Sequence, residues 1–388
     1  MKRIALALEY PLMQQGGTEV LVRELIRGLS KHFEIVLVSG DPDKHSLPSE
    51  LAELIHTHLP WKQGPTSSAP ASDLAQRIKA LNVDFAHFHF GGTYEWGSNR
   101  FGRCPVNYVA GLGVPCLSTN HLVVEWMNCG VHPNRSLTYK WLAQGYAWLS
   151  RASVFAKLKS EICVSRADQE NLQRMFPLFR SKIGQCYHSL LPEDATPVNE
   201  DRREPVVLCA GVISKRKGQT ILAEAFSQIA HRYSQWQLVF VGRTESSADE
   251  EKIRVCAAHN KVESRIAFRG AQSHEMTLEL MRRASIFALP SLLEGLGLAL
   301  QEALFYGCVG VGSNIGGIPE LIEHERNGLL VPAGDASSLR DALDRLMGSE
   351  DLRHQFRTRA RPSIIKKGMT APAMIKNYLR AYDNITPA

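Results

Sequence analysis

The sequence has no long apolar run and no low-complexity block. No stretch reaches the roughly 20 consecutive apolar residues that a membrane-spanning helix needs. The opening MKRIALALEYP resembles a signal peptide, but Glu9 and Pro11 interrupt an apolar stretch that is already short. We therefore expect a globular protein that stays in the cytoplasm.

The sequence also lacks clustered cysteines. The eight cysteines are scattered and form no CxxC pair or zinc-like cluster. This distribution is typical of buried, reduced thiols in a cytoplasmic protein, so we expect no disulfides and no structural zinc.

Charge is modest and of mixed sign. The net charge is +6, and most of the basic excess lies before residue 190, where 20 Lys and Arg stand against 15 Asp and Glu. There is no concentrated basic stripe, which argues against a nucleic-acid partner. Neither GLGLAL nor GVGSNIGG satisfies G-x-G-x-x-G, which argues against a nicotinamide dehydrogenase.

Two rounds of alternating apolar runs and amphipathic segments predict two domains. Apolar runs such as RIALALEY and EIVLVSG alternate with helical patterns to about residue 185, and the rhythm restarts at PVVLCAGV. This order is typical of doubly wound parallel sheets. We predict an N-terminal Rossmann-like domain (1–187), a linker (188–205) and a C-terminal Rossmann-like domain (206–371), with the helix at 372–388 packing on either half. The ligand site is expected in the crevice between them.

The stretch EGLGLALQE places two carboxylates, Glu294 and Glu302, eight positions apart around two glycines. A helix predicted from about Leu298 to Tyr306 would offer its amino end as an anion site, so phosphate oxygens are the expected ligand. Glu294 could then reach a ligand hydroxyl or a developing cation, and Glu302 a diol. Taken alone, the spacing favours a non-functional interpretation, in which Glu302 is a solvated helix residue and Glu294 is a turn residue stabilised by the helix dipole.

The surrounding sequence resembles glycosyltransferase family 4, which are retaining enzymes of the two-domain GT-B fold. The resemblance includes PSLLEGLGLALQEALFYG, SNIGGIPELIEHERNGLLVPAGD, CAGVISKRKGQTILAEAF and the N-terminal PLMQQGGTEVLVRELIRGLSKHFEIVLVS. It spans nearly the whole chain and is more specific in the C-terminal half. It implies two Rossmann-like domains that face each other across a cleft.

For the C-terminal half, the resemblance implies that Glu302 binds the ribose hydroxyls of a nucleotide sugar and that Glu294 lies beside the transferred sugar. It also implies that the amides of Gly295, Leu296 and Gly297 contact the sugar or the phosphates. No metal is expected.

Lys217, in KRKG, matches the lysine that neutralises the donor diphosphate in this family. Such a charge suits a leaving group whose negative charge grows in the transition state. Val212 departs from the family pattern, which usually has an arginine there. Lys215 or Arg216 would then supply the second positive charge. Without its flanking sequence, KRKG reads as a solvated basic turn.

In the N-terminal half, Gly16 and Gly17 form a glycine turn that opens a helix, and we expect this turn to offer amides or room to the donor phosphate. A plain strand-to-helix turn is the alternative. His121 follows a predicted strand and resembles the family's histidine near the donor sugar, although a structural role is an alternative. His87 and His89 share one face of a strand, and since no third ligand is apparent we expect them to pack or to line the cleft.

Residues 137–159 combine aromatic and basic side chains without an acid. This composition favours a helix that packs its aromatic face on its own domain or lines an acceptor groove, and peripheral contact with an anionic inner membrane face is the alternative.

The expected function is metal-independent, retaining transfer of a sugar from a nucleotide diphosphate sugar to a hydroxyl of a glycan or glycolipid acceptor in cell-surface polysaccharide or glycolipid biosynthesis. The donor is a substrate, so no cofactor is expected. The alternatives are a non-catalytic nucleotide-sugar-binding subunit and a nucleotide-sugar epimerase of the same fold.

Overall fold

The chain divides into two units, each built around one parallel sheet. The computed structural model describes residues 1–8, 10–13, 16–61, 69–90, 104–121, 137–193 and 203–385. Contacts group residues Met1–His188 with Ala371–Ala388 in unit 1, and Ser189–Thr370 in unit 2. Part of the predicted linker, residues 194–202, lies outside the described residues.

Unit 1 contains a seven-stranded sheet in the order β3-β2-β1-β4-β5-β6-β7, with every neighbouring pair parallel. Its strands are β1 (Lys2–Leu8), β2 (Phe33–Ser39), β3 (Ile55–Pro60), β4 (Phe85–Phe90), β5 (Cys116–Asn120), β6 (Ser160–Cys163) and β7 (Ile183–Gln185). Its first six helices are α1 (Gly17–Leu29), α2 (Ser49–Leu54), α3 (Ala69–Ala80), α4 (Pro105–Gly111), α5 (Leu137–Lys157) and α6 (Arg166–Met175).

Unit 2 contains a six-stranded parallel sheet in the order β10-β9-β8-β11-β12-β13. The strands are β8 (Glu204–Ala210), β9 (Gln237–Val241), β10 (Ile266–Phe268), β11 (Ala284–Leu289), β12 (Val309–Ser313) and β13 (Gly328–Val331). The helices are α7 (Gln219–Ile229), α8 (Ser247–His259), α9 (His274–Arg283), α10 (Leu298–Phe305), α11 (Ile318–Leu321), α12 (Ala336–Gly348) and α13 (Glu350–Lys366).

The last helix, α14 (Ala371–Asp383), returns to unit 1 and packs against α1. Its Tyr382 ring meets Phe33 and Phe85 with centroids 5.8 Å and 4.9 Å away. Helix α14 thus completes the core of the first unit. The burial of its aromatic side chain contributes to the stability of that unit.

The central strands are mostly apolar and buried on both faces, as expected for parallel sheets that helices cover on both sides. The β11 sequence ASIFAL is buried at every position, and so is FAHFHF in β4. Strand order reverses between β1 and β4 in unit 1 and between β8 and β11 in unit 2. In open parallel sheets, ligands bind at the carboxyl ends of the strands beside such a reversal. The predicted doubly wound α/β fold class is confirmed.

Candidate active site

The predicted donor-site residues of unit 2 lie at the point where its strand order reverses. The basic turn Lys215–Lys217 follows β8, and the turn that contains Glu294 follows β11, which is the neighbour of β8. Because β8 and β11 are parallel neighbours, both turns lie at the carboxyl ends of adjacent strands. The sheet topology brings together side chains that are 77 positions apart in sequence.

Lys217 and Glu294 form a short ion pair. Lys217 Nζ lies 2.6 Å from Glu294 Oε2, and the two side chains are 17% and 10% exposed. Ser291 Oγ donates a second hydrogen bond to the same oxygen, at 3.0 Å. An ammonium held beside a carboxylate in a part-buried site is a strong local interaction, because little water screens it.

The pair sets the charge of Glu294. Burial alone would raise the pKa of this carboxyl group, but the Lys217 ammonium, assisted by Arg216 and by the Ser291 hydroxyl, brings the pKa below its ordinary value. Glu294 is therefore a carboxylate at neutral pH. It is suited to accept hydrogen bonds or to stabilise positive charge, and it is not suited to act as a proton donor.

Hydrogen bonds to backbone carbonyl oxygens join the two turns. Leu292 N donates to Arg216 O at 2.7 Å, and Arg216 Nη1 donates to Leu293 O at 3.4 Å. Gly218 adopts a left-handed conformation, with φ at 68°, and a Cβ there would overlap the carbonyl oxygen of Pro290. Glycine is needed at this position for both reasons. The position of Lys217 relative to Glu294 is thus set by main chain.

Gly297 is the N-cap of helix α10; it has φ 93° and supplies no capping side chain. Leu300 N and Gln301 N donate to Gly297 O, so the amides of Leu298 and Ala299 precede the hydrogen-bond ladder of the helix. An amino end with this backbone attracts anions. The predicted helix start at Leu298 agrees with the structure.

A second glycine turn, not singled out from the sequence, supports this loop. Gly316 has φ 51°, and a Cβ there would overlap the carbonyl oxygen of Glu294. Gly317 N donates to Gly295 O at 2.8 Å. The adjacent glycines of SNIGG were the available signal, since paired glycines mark close backbone approach.

Glu302, in the middle of α10, is 6% exposed. His274 Nε2 lies 2.7 Å from its Oε1. His274 opens α9, and its side chain is 42% exposed. The interpretation of Glu302 as a solvated helix residue is excluded by its burial. The histidine partner was not predicted, because it lies on a different helix 28 positions away.

The remaining basic candidates face solvent. Lys215 and Arg216 are exposed, whereas Lys217 is part-buried. Val212 stands in the position of the usual arginine. Its carbonyl oxygen accepts a hydrogen bond from Gln219 Nε2 at 2.9 Å. Lys217 is thus the basic side chain of this turn that the fold holds most firmly.

In unit 1, the predicted glycine turn already has an anion beside it. Gly16 is the N-cap of α1, and a Cβ there would overlap the carboxylate of Glu19. Glu19 is 5% exposed, and burial raises its pKa, partly opposed by a backbone hydrogen bond and by Arg23. The chain's own carboxylate therefore folds back over the turn that was expected to receive phosphate. That role for Gly16 and Gly17 stays a prediction.

His121 lies just after β5, in a cluster of histidines. His121 Nε2 is 3.0 Å from His89 Nδ1, and the ring of His188 is 4.9 Å from that of His121. The ring of His87 lies 4.1 Å from that of His89 at a tilted angle, and its two nitrogens hydrogen-bond with Tyr382 Oη and Thr119 Oγ1. Both side chains are fully buried, so of the two expected roles, packing or lining the cleft, these contacts agree with packing. Among the described residues, no group of three or more His, Cys, Asp or Glu side chains is arranged to hold a metal ion.

Two family models match the chain, one in each half. The model described as "Glycosyltransferase Family 4" matches residues 15–188, and "Glycosyl transferases group 1" matches residues 192–362. The chain belongs to glycosyltransferase family 4, as the sequence resemblance indicated.

Curated relatives are distant. An alpha-D-kanosaminyltransferase from Streptomyces kanamyceticus is 28% identical over 41% of this chain and 40% of its own length. That match thus spans about two fifths of the relative. An uncharacterised glycosyltransferase from Methanocaldococcus jannaschii is 22% identical over 95% of this chain and 94% of the relative.

The solved structures give the fold. Anabaena HepE, solved in complex with UDP, superposes with a TM-score of 0.73 at 15% identity and covers 99% of this chain and 100% of its own. The GT-B fold class is confirmed. Within the described residues, no helix combines the length and the apolar character needed to cross a bilayer.

Proposed function

We propose that this protein transfers a sugar from a nucleotide diphosphate donor to an acceptor hydroxyl. The observation that carries the proposal is the Lys217–Glu294 pair, held at the strand reversal of unit 2 beside the amino end of α10. A cation and a helix amino end together match a diphosphate, and a buried carboxylate beside them matches a sugar. Anabaena HepE, which shares the fold, has been solved with UDP and with UDP-glucose.

In the donor complex, Lys217 binds the diphosphate and the amides of Gly295, Leu296 and Gly297 contact the phosphates or the sugar. Glu302 accepts hydrogen bonds from the ribose diol, with His274 holding one carboxylate oxygen. Lys215 and Arg216, on the exposed side of the same turn, add positive charge. The reaction needs no metal, because Lys217 and the helix end stabilise the departing diphosphate. Glu294 stabilises positive charge that develops on the sugar ring.

We further propose that the anomeric configuration is retained. The acceptor hydroxyl attacks on the face from which the diphosphate leaves, and the leaving phosphate oxygen takes the hydroxyl proton. One C–O bond to phosphate breaks and one C–O bond to the acceptor forms. His121 contributes to binding of the sugar. We expect the acceptor to be a cell-surface glycan or glycolipid.

The test is incubation of the protein with a panel of nucleotide diphosphate sugars, with and without glycan and glycolipid acceptors, in the presence of EDTA. NMR of the product reports its anomeric configuration. Transfer with retention supports the proposal, and inversion or dependence on added metal contradicts the mechanism. Donor binding without turnover would favour the binding-subunit alternative. A donor changed in the absence of acceptor would favour the epimerase.

We also propose that unit 1 contacts an anionic membrane surface through α5. Four large side chains, Tyr139, Leu142, Tyr146 and Leu149, follow the helical period and are 45% to 75% exposed. Segments 137–160 and 171–187 contain no acidic residue and carry Lys140, Lys157, Lys159, Arg180 and Lys182. Their other two basic residues do not add to this charge, because Arg151 is buried and Arg174 pairs with Glu170. An apolar stripe with basic residues and no acid is complementary to an anionic leaflet. Such contact would bring the protein to a glycolipid acceptor.

A further inference from the structure

The hydrogen bond between His89 and His121 determines which ring nitrogen of His121 meets a ligand. His89 is fully buried at the carboxyl end of β4, and its Nδ1 lies 3.0 Å from His121 Nε2. His121, after the neighbouring strand β5, is part-exposed. Within the part of the chain that the structure describes, His121 Nδ1 makes no hydrogen bond. Nε2 is thus held by the protein, and Nδ1 is the nitrogen left to face a ligand.

Both imidazoles are neutral at ordinary pH. Burial lowers the pKa of His121 to about 3, and burial together with the neighbouring histidines lowers the pKa of His89 well below its ordinary value. Two neutral imidazoles share one proton in their common hydrogen bond. Either both rings carry their proton on Nδ1, with His89 donating, or both carry it on Nε2, with His121 donating.

The surroundings of His89 decide between these arrangements. Its other nitrogen, Nε2, is buried and has no hydrogen-bond partner among the described residues. If His121 were the donor, His89 Nε2 would carry a buried N–H with no acceptor. Orphaned N–H groups are rarer in protein interiors than acceptors without a donor. We therefore propose that His89 is a positioning residue, whose Nδ1–H donates to His121 Nε2 and leaves His121 presenting an Nδ1–H.

The assignment of the tautomers depends on the geometry alone, whereas its consequence for substrate binding rests on the proposed function. An Nδ1–H on His121 is a hydrogen-bond donor, and it therefore suits a hydroxyl or phosphate oxygen of the substrate. The opposite tautomer would present a lone pair that only a substrate hydroxyl or amide could satisfy. His89 thus determines what His121 can recognise, although it is buried and does not itself reach the substrate.

The direct test is long-range ¹H–¹⁵N NMR of the full chain at pH 7.5 with ¹⁵N-labelled histidine. Spectra of His89→Asn and His121→Phe assign the two rings. The proposal predicts protonation at Nδ1 for both His89 and His121. Protonation of both at Nε2 overturns it, and this measurement needs neither substrate nor activity.

Two substitutions of His89 extend the test to catalysis. His89→Asn keeps an N–H close to the position of Nδ1, whereas His89→Leu removes it. We expect His89→Leu to lower kcat by about 10- to 100-fold, by analogy with residues that orient the ligands of metal sites, and His89→Asn to recover most of that loss. His56→Leu, at an exposed histidine on β3, is the control and should leave kcat unchanged.

The outcomes separate the two proposals. If both rings carry the proton on Nδ1 but His121→Phe transfers sugar at the wild-type rate, the positioning inference holds and the role of His121 in the proposed function fails. If His89→Asn and His89→Leu lose activity equally while both fold, as judged by circular dichroism, the catalytic part of the inference is wrong. Wild-type NMR decides the hydrogen bond even if His89→Leu does not fold.

Discussion

Lys217 Nζ contacts Glu294 Oε2 at 2.6 Å, between two turns that leave neighbouring strands of the second sheet. When no donor is bound, the Lys217 ammonium balances the negative charge of the buried Glu294 carboxylate. A diphosphate that binds Lys217 must compete with Glu294 for the same ammonium, and the sugar can then take its place beside the carboxylate. Stability and the proposed chemistry therefore use the same pair of charges.

Removing Lys217 should therefore impair both folding stability and transfer. Lys217→Met leaves Glu294 buried without its counter-ion, which costs about 3 kcal/mol of unfolding free energy by comparison with other broken buried pairs. The double variant Lys217→Met/Glu294→Gln should recover most of this stability in urea unfolding but no transferase activity. The control is Lys215→Met, on the exposed side of the same turn. Recovery of activity in the double variant would contradict the assigned roles.

A side chain at Gly316 should clash with the Glu294 loop, and this clash can be separated experimentally from the strain of a positive φ. Gly316→Ala places a Cβ against the carbonyl oxygen of Glu294, and Gly270→Ala places one in open space, although both glycines have positive φ. The backbone strain of about 1 to 2 kcal/mol is then common to both variants. We expect donor binding, measured by calorimetry, to weaken only in Gly316→Ala. Equal donor affinities in the two variants would show that the second glycine turn does not position Glu294.

Unit 1 should lose stability in mild acid. Burial lowers the pKa of His87 and of His121 to about 3, whereas an unfolded histidine titrates near 6.5. The fully buried His87 therefore contributes stability that is complete above about pH 6.5 and is lost as the pH falls towards 3, by about 1.4 kcal/mol per pH unit. His87→Gln should make the pH dependence of urea unfolding shallower between pH 6 and 4.5, and an unchanged slope would contradict this reasoning.

The α5 surface predicts binding to vesicles that depends on lipid charge. Co-sedimentation should be stronger with vesicles containing phosphatidylserine than with phosphatidylcholine alone, and should weaken with added salt. Leu142→Ser/Tyr146→Ser removes part of the exposed stripe and should reduce the bound fraction several-fold. Val255→Ser, at an exposed apolar residue of unit 2, is the matched control. Binding that is indifferent to lipid charge and to the α5 substitutions would rule out this surface as a membrane contact.

Much of the fold could be predicted from sequence, because parallel strands buried on both faces read as continuous apolar runs. The apolar run PVVLCAGV, the helix that starts at Leu298 and the second round of alternating segments after the linker were all predicted from the sequence. The burial of Glu302 could not be predicted, since an acid in a helix is usually solvated and its partner His274 comes from another element. Contacts between distant segments leave no local pattern.

The glycines illustrate the same limit. Gly297 could be recognised because it directly precedes its helix. Gly316, in contrast, supports the loop at Glu294, which lies 22 positions earlier in the chain. The side chain of Glu19 over Gly16 was likewise not predicted, because a glycine before a helix indicates an anion site without showing whether the chain itself supplies the anion.

The most direct measurement of the central claim is calorimetric titration of nucleotide diphosphate sugars into the wild type, Glu302→Ala and the control Glu275→Ala, which alters an exposed acid next to His274. The account predicts that one donor binds the wild type and Glu275→Ala with equal affinity, and that Glu302→Ala loses at least tenfold, or about 1.4 kcal/mol. Donor affinity that is unchanged in Glu302→Ala, and also in Lys217→Met, would contradict it.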